Sequence, residues 1–246
     1  MAYLESLVDI IDGIVSGLTF PVTIKSVVET TIVTDEGETI DVYAITTCDI
    51  YHAQPSFYVT IGGHSYLIRR IDASTNVLYV SGSFSITATS FNLYTPYFFH
   101  GVPIEVGNEL MNIPDAVNKT PMIWLHENYL EEIDRNPESI IERVSSFRLF
   151  FLTQANNELW LVDTAYENAI MPMRRLSENF ISALEQATGR FETDDFKYDV
   201  TNYAKFGVYI SNKGVLKNMF VDKLGGCELA MDLPIIKDLS CCDDLC

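Results

Sequence analysis

The chain has 246 residues, 48% apolar and 12% aromatic, enough to bury one large core or two smaller ones, which excludes a disordered class. Lys and Arg number 16 against 34 Asp and Glu, and a net charge of -18 repels nucleic acid, so a sequence-reading DNA-binding role is excluded. An acidic wall past which DNA slides without sticking remains compatible with that charge. In chain order, Leu4, Leu7, Val8, Ile11, Ile14, Val15 and Leu18 recur every three or four residues and predict an amphipathic helix over 3–18, stopped before Pro21. Residues 1–21 are assigned to the main domain.

From 22 to 99 the period becomes strand-like. Strands are predicted over 22–33, 39–47, 56–61, 65–71, 77–81 and 84–88, with turns at Thr34-Asp35-Glu36-Gly37, Gly62-Gly63 and Ala73-Ser74-Thr75-Asn76. Short strands with tight turns describe an inserted antiparallel β-barrel or sandwich domain over 22–99. The main α+β domain, 100–238, then follows. Residues 94–99 and 102–106 read as short apolar segments joined at His100-Gly101, and 121–126 as a strand with Met122, Trp124 and His126 on one side. The charged segment 127–146 reads as a long loop.

Residues 147–153 are apolar at all but one of the first six positions, the pattern of a strand buried on both faces in mid-sheet. Thr164-Ala165-Tyr166-Glu167 matches a capping box, Pro172 predicts a kink or a fresh helix start, and Ile170, Met173, Leu176, Phe180, Leu184 and Ala187 form one helical stripe ended at Thr188-Gly189. Strands follow at 206–210 and at 227–233, the latter with Glu228 and Asp232 on one side and Pro234 as its boundary, with a turn at Asn212-Lys213-Gly214 between them. Residues 239–246 read as a flexible Cys-rich tail. The fold expected is α+β: a central antiparallel sheet with packed helices plus the inserted all-β domain.

The sequence offers little catalytic chemistry. His126-Glu127 begins a helical zinc motif, but Leu130 stands where the second histidine belongs. His52, His64 and His100 are scattered, and neither a nucleophile elbow nor a phosphate-cradling glycine loop occurs. Glu131-Glu132 and Asp194-Asp195 are adjacent acidic pairs of the solvated kind. Of the cysteines, Cys48, Cys227, Cys241, Cys242 and Cys246, three crowd into the tail without a fourth metal ligand. No enzyme activity, cofactor or metal is expected. The acidic start, Met1-Ala2-Tyr3-Leu4-Glu5, lacks the basic region of a secretory leader, so a soluble protein with free thiols is expected, with no membrane partner.

The succession Thr120-Pro121-Met122-Ile123-Trp124-Leu125, 147–152, Trp160, Asp163, Tyr166, Ile170-Met171-Pro172-Met173, Leu176 and Phe180, with the ending 220–229 and Leu233-Pro234-Ile235, resembles neck and tail structural proteins of tailed bacteriophages. Within that group it is similar to tail-terminator or tail-completion ring proteins, including those of crAss-like gut phages. The resemblance implies an α+β subunit of a homo-oligomeric ring around the DNA channel. Its partners would be copies of itself and neighbouring portal, neck or tail proteins, with DNA only a passing occupant. Its place would be the virion, after assembly in the bacterial cytoplasm. Residues 22–99 depart from the compact terminator pattern. The residues proposed for a subunit-interface loop are Glu127, Asn128, Glu131, Glu132, Arg135, Glu138 and Arg143. An alternative of another class is a carbohydrate- or receptor-binding module using Tyr43, Tyr51, Tyr58, Tyr66 and Tyr79.

Overall fold

The computed structural model describes residues 6–34, 37–113, 119–136, 140–155, 162–187, 190–192, 197–210, 216–220 and 223–236. It is a mixed α+β protein with predominantly antiparallel sheets. Its contacts gather into two units, residues 19–95 and residues 1–18 with 96–246.

The 19–95 unit is a six-stranded antiparallel sheet. Its strands are β1 (Pro21–Val33), β2 (Thr39–Thr47), β3 (Tyr58–Ile61), β4 (His64–Asp72), β5 (Val77–Ser81) and β6 (Ser90–Asn92), in the order β3-β4-β5-β2-β1-β6. The two end strands approach each other, so the sheet is nearly closed around Val22, Val42, Ile45, Ile61, Ile68, Leu78, Val80 and Phe91. Gly62 and Gly63, at φ 58° and 83°, both occupy the left-handed region that a two-residue hairpin between right-twisted strands requires. Residues 84–88, expected as a strand, have no regular pairing. The Tyr66 hydroxyl donates to the Phe84 carbonyl at 3.0 Å and His64 stacks on the Phe84 ring, so side chains hold what a ladder does not. The strand comes later, at β6, which pairs with Pro21, Val22 and Thr23.

The other unit begins with α1 (Leu7–Gly17), where the Ser6 Oγ accepts from the Asp9 N–H at 3.1 Å and Leu7, Ile10, Ile11 and Val15 are buried. Its main sheet comprises β7 (Tyr97–Gly101), β8 (Met122–His126), β10 (Ile141–Gln154), β11 (Tyr198–Phe206) and β14 (Leu224–Ile236) in the order β11-β14-β10-β8-β7. β9 (Leu130–Ile133) also pairs with β10, and β12 (Val208–Ile210) with β13 (Leu216–Asn218). All pairs are antiparallel except β7 with β8, which run parallel.

That exception gives a structure to 102–106, read from the sequence only as a short apolar segment. Those residues open α2 (Pro103–Asn112), the crossover between the parallel strands. Pro103 suits a first helical turn, and the Glu105 carboxylate accepts from the Val102 N–H at 3.1 Å. At the other end the buried Lys119 Nζ donates to the carbonyls of Leu110 at 2.9 Å and Ile113 at 3.0 Å, placing a cation on the negative end of the helix.

β10 lies centrally in the sheet. One face of the sheet carries Leu149, Phe151, Cys227 and Leu229 against the helix formed by α3 (Val162–Ala165), a π-helical turn (Tyr166–Ile170) and α4 (Met171–Gln186). Phe180 on α4 meets Phe151 with ring centres 5.9 Å apart. Thr164 is therefore inside a helix and not its cap. Nor does the helix restart at Pro172: the Met171 N–H reaches back to the Tyr166 carbonyl, and this wider turn precedes the residue that has no N–H to give. The opposite face packs Phe99, Val106, Leu110, Met122, Trp124, Phe150, Leu152, Phe220 and Leu224.

β14 runs through Pro234. The Pro234 carbonyl accepts from Glu192 at 3.1 Å, so its backbone polar side faces the short Phe191 bridge and the missing N–H takes nothing from β10. Gly226, at φ 152°, lies where an added Cβ would come 2.0 Å from the Phe151 carbonyl oxygen. The helix end expected at Thr188-Gly189, the turn expected at 212–214, the pair Asp194-Asp195, and the tail 239–246 lie outside the described residues.

Candidate functional site

The residues proposed for an interface loop fall on different structures. Half of the expected loop is strand, because β9 and the first residues of β10 form a ladder from Ile133↔Arg143 to Leu130↔Ser146. Arg143, 2% exposed, places its Nε 3.1 Å from Glu131 Oε1, and the Ser145 hydroxyl donates to the same oxygen at 3.1 Å. These two charges are thus brought together within the chain and tie β9 to β10. Glu127 pairs with His100 across the ends of β8 and β7. Glu132 and Arg135 face solvent, Asn128 lines a groove, and Glu138 lies outside the described residues.

That groove has a volume of about 300 Å³ and lies against the middle of β10 and β14 and the start of β11, lined by Asn128, Ser146, Arg148, Lys197, Asp199 and Asp232 among others. Register places Arg148, Ala230 and Asp199 in one row across the three strands, with Phe150, Glu228 and Thr201 in the next. Glu228 is buried. Its Oε2 accepts from the Tyr203 hydroxyl at 2.5 Å, and its Oε1 lies 3.4 Å from Arg148 Nη1. Burial, then the bond to Glu228, pushes the Tyr203 hydroxyl up to about 12. Burial, then the nearby Arg148 charge, lowers the His126 pKa against an opposing pull from Glu228. The network locks three strands together. It holds its hydroxyl proton too tightly for an acid at neutral pH and its carboxylate between two donors. A single arginine inside an apolar strand was the sequence signal for it, because such a charge needs a partner on the next strand.

In the 19–95 unit the tyrosines do not make one exposed platform. Tyr66 is core, Tyr43, Tyr51 and Tyr79 are half-buried, and Tyr58 is exposed. The feature missed there is His52, fully buried against Phe20 and Tyr94, the latter stacked in turn on Phe57. Its Nε2 lies 2.8 Å from the Tyr94 carbonyl, which can only accept, so Nε2 carries the proton. Nδ1 is buried without a partner among the described residues, and burial lowers the pKa from 6.5 to about 4. Burial also raises the Tyr94 hydroxyl strongly.

Among the described residues no group of three or more His, Cys, Asp or Glu is arranged to hold a metal. Cys48 is exposed, and burial pushes the Cys227 thiol up to about 12. Among the described residues no helix is long and apolar enough to cross a membrane. Among the described residues three strands of the main sheet pair on one side only: β7, which lies beside α1 and α2, and β9 and β11; on β9, Leu130 and Ile133 are 60% and 51% exposed. No protein family, curated protein or solved structure matches the chain.

Proposed function

We propose that the chain is a virion structural protein of a tailed bacteriophage, a subunit of a homo-oligomeric ring in the neck or tail that surrounds the DNA channel and joins adjacent components. The observation that carries this reading is that two strands of the main sheet, β9 and β11, pair on one side only among the described residues and bear exposed apolar side chains. Bare edges are hazards that a monomer blunts and an assembly uses. Near the sheet centre, by contrast, Arg148, Glu228 and Tyr203 are tied to each other. The charge of -18 suits a wall past which DNA moves without adhering. A tail-terminator-like arrangement of sheet and helices belongs to the same proposal, as do neighbouring portal, neck or tail proteins as partners.

Solution mass together with negative-stain imaging tests it. Closed rings of one size are expected from purified protein or from disrupted virions. A strict monomer in both settings overturns the reading.

A further inference from the structure

Two of the strands that pair on one side only, β9 and β11, differ in chemistry, and the difference says what each takes. On β9 the Asp134 N–H donates to the Glu142 carbonyl at 2.9 Å, so alternation turns the backbone groups of Leu130 and Glu132 toward β10 as well. Glu131 and Ile133 therefore direct N–H and C=O outward, where no strand pairs with them among the described residues. This edge is acidic: Glu132 is exposed and flanked by Glu127 and Asp134. β11, at the other side of the sheet, is exposed along most of its length and bracketed by exposed Lys197 and Lys205. Its one acid, Asp199, is in register with Ala230 and Arg148.

We propose that the β9 edge of one copy pairs with the β11 edge of the next, continuing the main sheet from subunit to subunit. This rests on the self-assembly reading above and names its contact. Opposite edges of one sheet make a head-to-tail interface, the kind that closes into rings. Pairing β9 with another β9 would instead set Glu132 against acidic residues, which like-charge repulsion disfavours. Lys197 and Lys205 stand at opposite ends of β11, so Glu132 meets one of them in a given register, and Leu130 and Ile133 bury against an edge that begins at the half-exposed Tyr198.

The test compares full-length variants by analytical ultracentrifugation, with circular dichroism confirming the fold. Ile133→Pro deletes an outward N–H while leaving the bonds of Glu132 and Asp134 to β10, and it should abolish assembly. Lys197→Glu/Lys205→Glu should weaken assembly about tenfold or more, and adding Glu132→Lys to that variant should restore it. An equimolar mixture of Ile133→Pro with Lys197→Glu/Lys205→Glu, each keeping one intact edge, should stop at dimers. Should Ile133→Pro misfold, Glu132→Lys alone reads the same edge and should weaken assembly. Rings that form normally in Glu132→Lys and in the double lysine variant overturn this contact and leave the proposed function standing. Loss with β9 changes alone, the lysine variant being unaffected, overturns the β11 half. A wild-type chain that never assembles sinks both.

Discussion

His52 shows how one side chain writes a pH dependence into a fold. Its imidazole is neutral when buried, with pKa lowered from 6.5 to about 4, so the unfolded chain binds the proton more readily than the folded one. A depressed folded pKa gives stability that is fully present above the unfolded value and is lost as pH falls through the folded one. The window runs from about 6.5 down to about 4, and the difference is worth about 3 kcal/mol. Urea unfolding of the full chain should therefore show the signal of the 19–95 unit weakening across that window. His52→Gln keeps a donor near the Tyr94 carbonyl but cannot titrate, so it should lose some stability at neutral pH and flatten the slope. An unchanged slope would show that another group titrates.

The strand and helix at the centre of the main unit are the elements on which the rest is built. Phe180 is fully buried on α4 against Phe151 of β10. Phe180→Asp would place a carboxylate there without a partner and should cost about 3–5 kcal/mol, enough to unfold a marginal domain. Normal melting and assembly of that variant would mean the face is not core. These two elements were legible because their apolar spacing is dictated by the core they fill: an unbroken run for a strand covered on both faces, a stripe for a helix covered on one. What stayed illegible lacked that imprint. β11 is exposed over most of its length, so no alternation marks it. α2 did carry its signals, Pro103, Glu105 and the four-residue spacing of Val106 and Leu110, but 102–106 taken alone reads only as a short apolar segment. The Glu131–Arg143 pair and the Glu228 network depend on register between strands distant in sequence, and a linear reading cannot supply register. Arg148 was the one visible clue, a lone charge in an apolar strand.

At the scale of the whole molecule, each of the two units owns a core, one within the nearly closed sheet and one on the two faces of the main sheet. Units with separate cores tend to unfold separately unless a large apolar interface couples them. Differential scanning calorimetry should accordingly resolve two transitions at neutral pH. Acid should then act unequally. The 19–95 unit holds a fully buried neutral histidine, whereas His126, the histidine lowered by burial in the other unit, is only half-buried and feels the opposing pull of Glu228. Lowering the pH through the window between about 6.5 and 4 should shift one transition down strongly and the other less, spreading them apart. In His52→Gln the spread should collapse while both transitions persist, which assigns the acid-sensitive one to the 19–95 unit. A single transition at every pH would mean that the two cores melt as one, and the separate contribution of His52 would then appear as a shift of the whole.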